Sequence, residues 1–332
     1  MATQAKQINK TAAIAAVEGI KLPVNKISAD NIANISNLLA FAQDGFLEYH
    51  FESDGDVDFA LPVDITNKEV LQALSIAFPG AADFISRLNT AVEIFNPRNV
   101  ENIWLEFDTS SPDFKGVPSI YFDLHRAHYL YLNFSQSDSF WKNWLDESIA
   151  VVGTKNLIPE NIAAMQNCIQ KLSTAGYPAY AAVMKGRDEQ LRLSMKILDN
   201  SALFDFLKDI GIQLVAEDGQ KMAALVSMAD FTAVNLDFEN GSITPQFGIE
   251  LHISKNEEHD THEEQLFAAL QSYSLCTAEQ KAQILAWPVV REDDNGITAF
   301  QRISHVKITV NQGKIDCTKA YLYYLYNNSL AE

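Results

Sequence analysis

One arrangement is repeated five times along the chain: two stretches of alternating apolar and polar residues, with a polar turn or loop between them. The first pair comprises residues 46–51 (FLEYHF) and 57–63 (VDFALPV), joined by Ser53-Asp54-Gly55. Successive side chains of a strand point to opposite faces, so a period of two predicts strands, and the short turn predicts an antiparallel hairpin. Four further hairpins are predicted at residues 103–108 and 119–124, 180–184 and 191–197, 233–238 and 246–253, and 304–310 and 319–324.

Helical patterns occupy the segments between the hairpins. They are predicted at residues 67–95, 138–150, 159–173, 202–210, 263–272 and 278–286. One strand face is apolar throughout, as at Ile103, Leu105 and Phe107, and we expect this face to pack against the helices. The opposite face is polar, and on an open sheet it would face solvent. Ten strands with the same twist strain an open sheet, however, and favour closure into a barrel.

We therefore predict an α+β fold in which five α-β-β-α units form a ten-stranded antiparallel β-barrel, surrounded by helices and with a polar lumen. Residues 45–326 would form the barrel, and residues 1–44 would form N-terminal helices that pack on it within the same domain. No linker rich in glycine or proline interrupts residues 40–330, which favours one domain.

The charge balance bears on partners. The chain has 25 Lys and Arg against 43 Asp and Glu, a net charge of -18, which argues against a nucleic-acid partner because phosphate binding needs clustered cations. No apolar run reaches the roughly 18 to 20 residues that span a bilayer. The N-terminus also lacks the apolar stretch of a signal peptide. We expect a cytoplasmic protein with no membrane partner.

Cofactor motifs are missing from the sequence. It contains no Gly-rich dinucleotide or phosphate loop, no HExxH and no GxSxG, so common oxidoreductase, NTPase and protease classes are excluded. The cysteines, at wide spacings, are expected to be free thiols: Cys168, Cys276 and Cys317. The spacing of His252, His262 and His305 does not indicate a transition-metal site.

Several segments resemble a known family. LEYHF with VDFALP is similar to the first hairpin of the indole-type aromatic prenyltransferases, FDTSSPDFKGVPSIYFDL to their second hairpin, and LRLSMKI to their Arg-x-Lys-x-Tyr strand. The resemblance covers residues 45–325 and identifies the barrel as a diverged prenyltransferase barrel, also called the ABBA fold. It implies a transferase of natural-product biosynthesis (secondary metabolism) that moves an allylic prenyl group from a diphosphate to an indole-like or peptide-borne aromatic acceptor.

The resemblance also implies roles for individual residues. Glu48 matches the acidic residue that binds the indole N–H, and His50 would join it as an acid–base partner. Arg192 matches the arginine of the Arg-x-Lys-x-Tyr strand. The diphosphate would then be bound by Arg192, Lys196, Lys307 and Lys319. The aromatic shield and stacking platform would comprise Trp104, Tyr121, Tyr321 and Tyr323.

Other positions depart from the family pattern. Asp58 and Ser119 replace an arginine and a lysine, Ser194 and Lys196 replace a lysine and a tyrosine, and Glu250 stands where a cation or tyrosine is expected. Three possibilities remain open for a diphosphate. The first is that the four cations cluster and bind it without a cofactor. The second is that Mg²⁺, held by Asp108 and Asp237, supplies the missing positive charge. The third is that no diphosphate binds. In the last case the barrel binds or otherwise modifies a small molecule or peptide, or has a structural or chaperone-like role.

Overall fold

A computed structural model of the chain provides the architecture. Apart from isolated positions, it describes residues 23–39, 44–53, 55–64, 102–114, 116–123, 156–172, 175–185, 187–253, 260–292 and 297–328. The strands are β1 (Asp44–His50), β2 (Val57–Asp64), β3 (Asn102–Phe107), β4 (Ser119–Asp123), β5 (Gly176–Met184), β6 (Gln190–Ile197), β7 (Phe231–Glu239), β8 (Ser242–His252), β9 (Val289–Glu292), β10 (Ile297–Asn311) and β11 (Lys314–Asn328). The helices are α1 (Lys26–Leu39), α2 (Pro159–Leu172), α3 (Leu203–Asp209), α4 (Ala216–Val226), α5 (Asp260–Ser272) and α6 (Ala278–Leu285). A short 3₁₀ helix, Asn200–Ala202, precedes α3.

The strands form a closed antiparallel ring. Its order is β1-β2-β3-β4-β5-β6-β7-β8-β10-β11, and β11 pairs with β1 to complete it. Short β9 lies outside the ring, paired with the first part of β10 from Gln301 opposite Val289. The predicted ten-stranded barrel with surrounding helices is therefore confirmed.

Two tight turns show how local sequence sets the hairpins. Asn240 and Gly241 between β7 and β8 have φ values of 50° and 76°, and Gln312 and Gly313 between β10 and β11 have 50° and 78°. Positive φ at both central residues is typical of a type I′ turn, whose twist matches that of the flanking strands. Glycine adopts this conformation without steric cost, which explains why Asn-Gly and Gln-Gly form the turns of these two hairpins.

The apolar core lies between the barrel wall and the helices. Leu105 on β3, Leu193 on β6 and Ile249 on β8 are fully buried on the outward strand face, as the alternation predicts. Helices contribute Ile35 from α1 and Phe267 from α5, both of which are also fully buried. The alternate strand positions consequently point into the lumen.

The structure differs from the sequence predictions in several elements. All ten predicted strands are present, and β8, β10 and β11 are longer than expected. Strand β9 and helix α4 were not predicted, because β9 has only four residues and α4 contains Gly219, which weakens a helix pattern. Helical predictions at 67–95 and 138–150 lie outside the described residues, apart from isolated positions. The assignment of residues 1–44 to N-terminal helices remains a prediction, although α1 lies within that range.

Among the described residues, every helix is too short or too polar to traverse a lipid bilayer.

Two glycines give opposite expectations for stability. A Cβ at Gly176 on β5 would lie 1.9 Å from the backbone carbonyl oxygen of Lys196, whereas one at Gly219 in α4 would have only Leu214 Cβ nearby, at 3.6 Å. We expect Gly176→Ala to lower the free energy of unfolding by about 1–3 kcal/mol through this clash. Gly219→Ala should raise it by about 0.5–1 kcal/mol through better helix propensity. Urea denaturation of both variants tests this, and equal effects would contradict the placement of β5 against β6.

Candidate functional site

The barrel encloses a cavity of about 260 Å³. Acidic Glu48, Glu106 and Glu250 line it, as do aromatic Trp104 and Tyr321. Each occupies the strand parity that the sequence assigned to the lumen. A larger cavity of about 600 Å³ lies outside the barrel, between α2 and the β7–β8 and β10–β11 turns. Among the described residues that line it, the only ionisable side chain is that of Cys168. The lumen is therefore where charged and aromatic groups converge.

One ionic cluster links three strands: β1 and β11, whose pairing closes the barrel, and β2. The Lys319 ammonium on β11 lies 3.2 Å from Asp58 Oδ2 and 3.4 Å from Glu48 Oε2. Asp58 has further partners: His50 Nε2 at 2.8 Å, and the amide and hydroxyl of Ser110, which donate to its Oδ1 at 3.0 and 2.7 Å. Two carboxylates thus share one ammonium, and Asp58 is the better satisfied of the two.

This unequal sharing separates the two carboxyl groups in pKa. Burial and the nearby Glu106 carboxylate raise the pKa of Glu48 to about 7, against the opposing effect of Lys319. Burial acts the same way on Asp58, but Lys319 and His50 outweigh it and hold the pKa of Asp58 well below its usual range. Oε1 of Glu48 is buried and has no hydrogen-bond partner among the described residues. Glu48, which lines the cavity, is thus a buried carboxyl group with a pKa near neutrality and one oxygen that these residues leave unsatisfied.

A second cluster is centred on Arg192. Its Nε and Nη2 donate to the two carboxylate oxygens of Asp237 at 2.7 and 2.8 Å, and its Nη1 donates to Tyr121 Oη at 3.0 Å. Tyr121 in turn donates to Glu106 Oε2 at 2.5 Å. Strand pairing explains the contact, because Arg192 on β6 lies directly opposite Asp237 on β7. Arg192, which the sequence predicted to bind a diphosphate, is therefore held in a bidentate ion pair with the carboxylate of Asp237.

Arg187 is a lumen cation that sequence reasoning missed. Its Nη2 lies 3.4 Å from Glu106 Oε1 and 3.6 Å from Asp108 Oδ1. It belongs to the turn between β5 and β6, so strand alternation gave no signal that it reaches the barrel interior. Asp108 and Asp237 were the two predicted magnesium ligands. Asp108 lies near the guanidinium of Arg187, and both carboxylate oxygens of Asp237 accept hydrogen bonds from Arg192. Magnesium binding by this pair remains a prediction.

Lys307 on β10 also lines the cavity. Its Nζ is 3.9 Å from Glu250 Oε1, and it is positioned 5.9 Å from the ring centre of Tyr321. A Cβ at Gly248 would be 2.6 Å from Lys307 Cε, so this glycine leaves room for the lysine. Burial and the charge of Arg192 lower the pKa of Lys307 to about 8, so the ammonium remains mostly protonated at neutral pH.

Four rings stack across neighbouring strands. Phe231 stacks on His252 with ring centres 4.4 Å apart, His252 on His305 at 4.4 Å, and His305 on Tyr321 at 4.1 Å. Lys196 caps one end, with its Nζ 3.6 Å from the ring centre of Phe231. Lys196 was predicted to bind diphosphate, yet it belongs to this stack and does not line the cavity.

The remaining predicted aromatic residues divide between two places. Trp104 lines the cavity and packs against Phe46, with ring centres 5.0 Å apart. Tyr323 is not among the described residues that line the cavity: its hydroxyl donates to Asp44 Oδ2 at 3.1 Å, and Arg302 lies 5.0 Å from its ring centre. Of the predicted shield, the structure brings together Trp104, Tyr121 and Tyr321.

One group of possible metal ligands is assembled only by the tertiary structure. The structure brings the metal-binding atoms of Glu250, His252 and His305 within 4.8 Å of one another. His252 and Glu250 are two residues apart on β8 and share a face, and His305 on β10 is the direct cross-strand partner of His252. Sequence spacing did not reveal this because the register of β8 against β10 is set by the barrel. His262 lies apart, on α5.

Fold and lumen together define a class. A closed ten-stranded antiparallel barrel with surrounding helices is the ABBA prenyltransferase-barrel fold, and the resemblance in the sequence is thereby confirmed at the level of fold. No protein-family model matches the sequence, and no curated protein does.

Solved structures with the same fold include three prenyltransferases. The structure of PriB in a binary complex with product diphosphate superimposes with a TM-score of 0.56, over 97% of this chain and 94% of PriB, at 11% identity. AnaPT from Neosartorya fischeri gives 0.50 over 86% and 77%, at 16% identity. The 6-dimethylallyltryptophan synthase of Micromonospora olivasterospora, in complex with DMASPP and Trp, gives 0.52 over 85% and 81%, at 10% identity. At these identities the likeness shows the fold alone.

The Arg192–Asp237 pair yields a prediction for stability. Asp237→Asn would leave a buried guanidinium without its bidentate carboxylate, and breaking a buried ion pair in this way costs about 3–5 kcal/mol. Asp30→Asn on α1 removes an exposed partner of Lys26 and should cost less than about 1 kcal/mol. Chemical denaturation of both variants measures the difference. Similar small losses for the two would show that Arg192 and Asp237 are accessible to water.

The raised pKa of Glu48 yields a prediction for pH dependence. A carboxyl group whose folded-state pKa lies above its unfolded value adds stability at low pH and loses it as pH rises through the folded pKa. Relative to E48Q, the wild-type chain should therefore lose stability between about pH 4.5 and 7, by an amount on the order of 3 kcal/mol. Denaturation curves of both proteins across this range test the expectation. Parallel curves would contradict it.

Proposed function

We propose that the lumen of this prenyltransferase-barrel protein binds one small aromatic molecule, or an aromatic side chain of a peptide, through an N–H group that donates to Glu48. The observation that carries the proposal is Oε1 of Glu48, which is buried and has no hydrogen-bond partner among the described residues, on a side chain that lines the cavity together with Phe46, Trp104 and Tyr321. Small-molecule sites usually combine aromatic walls with a few polar groups that fix the orientation of the ligand, and the lining of this cavity offers both.

Cavity size supports a single ligand. Its volume of about 260 Å³ is slightly below the usual range of about 300–1,000 Å³ for ligand pockets. A bicyclic aromatic compound such as indole fits that volume, whereas an aromatic acceptor together with an allylic diphosphate requires more space.

Lumen charges also favour a neutral or cationic ligand over an anionic one. Every cation in the described ionic clusters lies within 4.0 Å of a carboxylate: Arg187, Arg192, Lys307 and Lys319. A diphosphate would have to replace these carboxylates, and opening a buried ion pair is strongly unfavourable. Within the described residues these clusters also contain more carboxyl groups than cations, and the excess of carboxylates repels an anion.

Prenyl transfer is the second candidate. The fold favours it, because the three structural neighbours are aromatic prenyltransferases and two were solved with diphosphate-containing ligands or products. In that case the indole-like or peptide-borne acceptor would lie on Glu48 as proposed above. Arg192, Lys307 and Lys319 would exchange their carboxylates for the diphosphate of an allylic donor, with or without Mg²⁺. A role in natural-product biosynthesis and a cytoplasmic location also remain proposals.

Indole and 1-methylindole test the Glu48 assignment, because they differ in the N–H group. Hydrogen bonds to a charged group contribute about 1.5–3 kcal/mol, so calorimetric titration at pH 8 should show indole binding at least about tenfold more tightly. In E48Q this preference should shrink, whereas exposed Glu239→Gln should retain it. Equal affinity of the wild-type chain for both compounds would refute the anchor.

Dimethylallyl diphosphate separates the two candidate functions. We expect no calorimetric binding, with or without Mg²⁺, at concentrations at which indole binds, because the lumen cations are paired. Binding that Arg192→Ala abolishes, together with a prenylated indole detected by mass spectrometry, would establish prenyl transfer instead. The indole test stands independently of this outcome.

A further inference from the structure

Three side chains of metal-binding type meet at one side of the lumen. Glu250 Oε2 lies 3.2 Å from His252 Nε2 and 3.8 Å from His305 Nε2. Metal ions with imidazole ligands bind at about 2.0–2.1 Å, which places ligand atoms roughly 3 to 3.5 Å apart around the ion. The two distances to the carboxylate therefore approach those of an assembled site.

One of these ligand atoms lacks a hydrogen bond. His305 Nε2 is buried and has no hydrogen-bond partner among the described residues, and the His305 side chain is only 9% exposed. An unsatisfied ring nitrogen beside a carboxylate is unusual, since buried polar atoms nearly always have a partner. A bound cation would satisfy it.

The surroundings hold the three groups in orientation. Asn235 Nδ2 donates to Glu250 Oε1 at 2.7 Å, which directs Oε2 towards the two imidazoles. Ser304 Oγ lies 3.0 Å from His305 Nδ1, so a proton on Nδ1 leaves the Nε2 lone pair free. Supporting hydrogen bonds of this kind accompany metal ligands in most sites. Stacking between Phe231 and Tyr321 further restricts both imidazole rings.

We propose that Glu250, His252 and His305 bind one divalent transition-metal ion, with Zn²⁺ as the expected metal, at the wall of the cavity. Two imidazoles and a carboxylate are the protein ligands of catalytic zinc sites, which keep a further coordination position open. Nitrogen ligands favour Zn²⁺ over Mg²⁺, which prefers oxygen. The site is distinct from the magnesium pair predicted at Asp108 and Asp237.

The position of the site defines what it could take from the lumen. All three residues line the cavity, so the open coordination position is accessible to a ligand there. Lys307 is a cation close to the proposed site, but its Nζ lies 3.9 Å from Glu250 Oε1, whereas the two imidazoles approach Glu250 Oε2. The lysine and the metal would therefore contact different oxygens of the carboxylate. The ion would polarise a neutral oxygen-bearing ligand, such as one with a carbonyl group. This proposal goes beyond the aromatic site on Glu48 and does not depend on it.

Cobalt reports both binding and the identity of the ligands. We expect the full-length chain to bind one equivalent of Co²⁺ with visible ligand-field absorption and without a thiolate-to-cobalt charge-transfer band, and Zn²⁺ to displace it. Loss of a supporting group alone commonly weakens metal binding about 10–100-fold, so His305→Gln, His252→Gln and Glu250→Gln should each weaken it more than about 100-fold. Asn235→Ala should weaken it about 10–100-fold, and His262→Gln, on α5, should have no effect.

Several results would overturn the proposal. These are no Co²⁺ binding, binding that survives all three ligand substitutions, or a thiolate band that assigns the metal to the cysteines. Circular dichroism checks that each variant is folded. If the variants are unfolded, X-ray absorption on the zinc-loaded native chain decides: two imidazoles with oxygen ligands support the site, and sulfur or oxygen-only ligation refutes it.

Discussion

The pairing of β11 with β1 turns a curved sheet into a closed barrel. Its register runs from Asp44 opposite Leu325 to His50 opposite Lys319. Closure removes the sheet edges and also removes one face of every strand from bulk water. The same register brings Lys319 to Glu48 and Asp58, so the ion cluster beside the cavity exists only because the ring closes.

Confinement then governs the charges. Charged groups taken out of water must pair or change their pKa, since an isolated buried charge is very unfavourable. Asp237 pairs with Arg192, Asp58 shares Lys319, and Glu48, which is left with the weaker contact, has a pKa near neutrality. Among the described residues, the lumen contains more carboxyl groups than cations, in keeping with the net negative charge of the whole chain. Such a lumen suits N–H donors and metal cations better than the anionic donor of the customary prenyl-transfer reaction.

The two proposed sites divide the cavity between them. Glu48 lies on β1 with Trp104 nearby, whereas Glu250, His252 and His305 lie on β8 and β10. Tyr321 contacts both groups, because it pairs with Glu48 across strands and stacks on His305. A ligand anchored on Glu48 would therefore face the imidazole cluster, so that binding and polarisation of one molecule could occur within a single barrel.

Strand alternation was enough to predict the ten barrel strands, the outward apolar face and the lumen parity of residues such as Glu48, Arg192 and Lys307, because each depends on the period of two within a single strand. Partners across strands could not be predicted in this way. These contacts depend on strand register and barrel closure, which join residues far apart in sequence. Examples are the bidentate ion pair of Arg192 with Asp237, the contact of Arg187 with Glu106, and the cross-strand pairing of His252 with His305. The sequence by itself determined the alternating parity of the strand residues; the tertiary structure decided which of them line the cavity and which of them pair, because Coulomb and hydrogen-bond interactions act over distances that only the closed barrel sets.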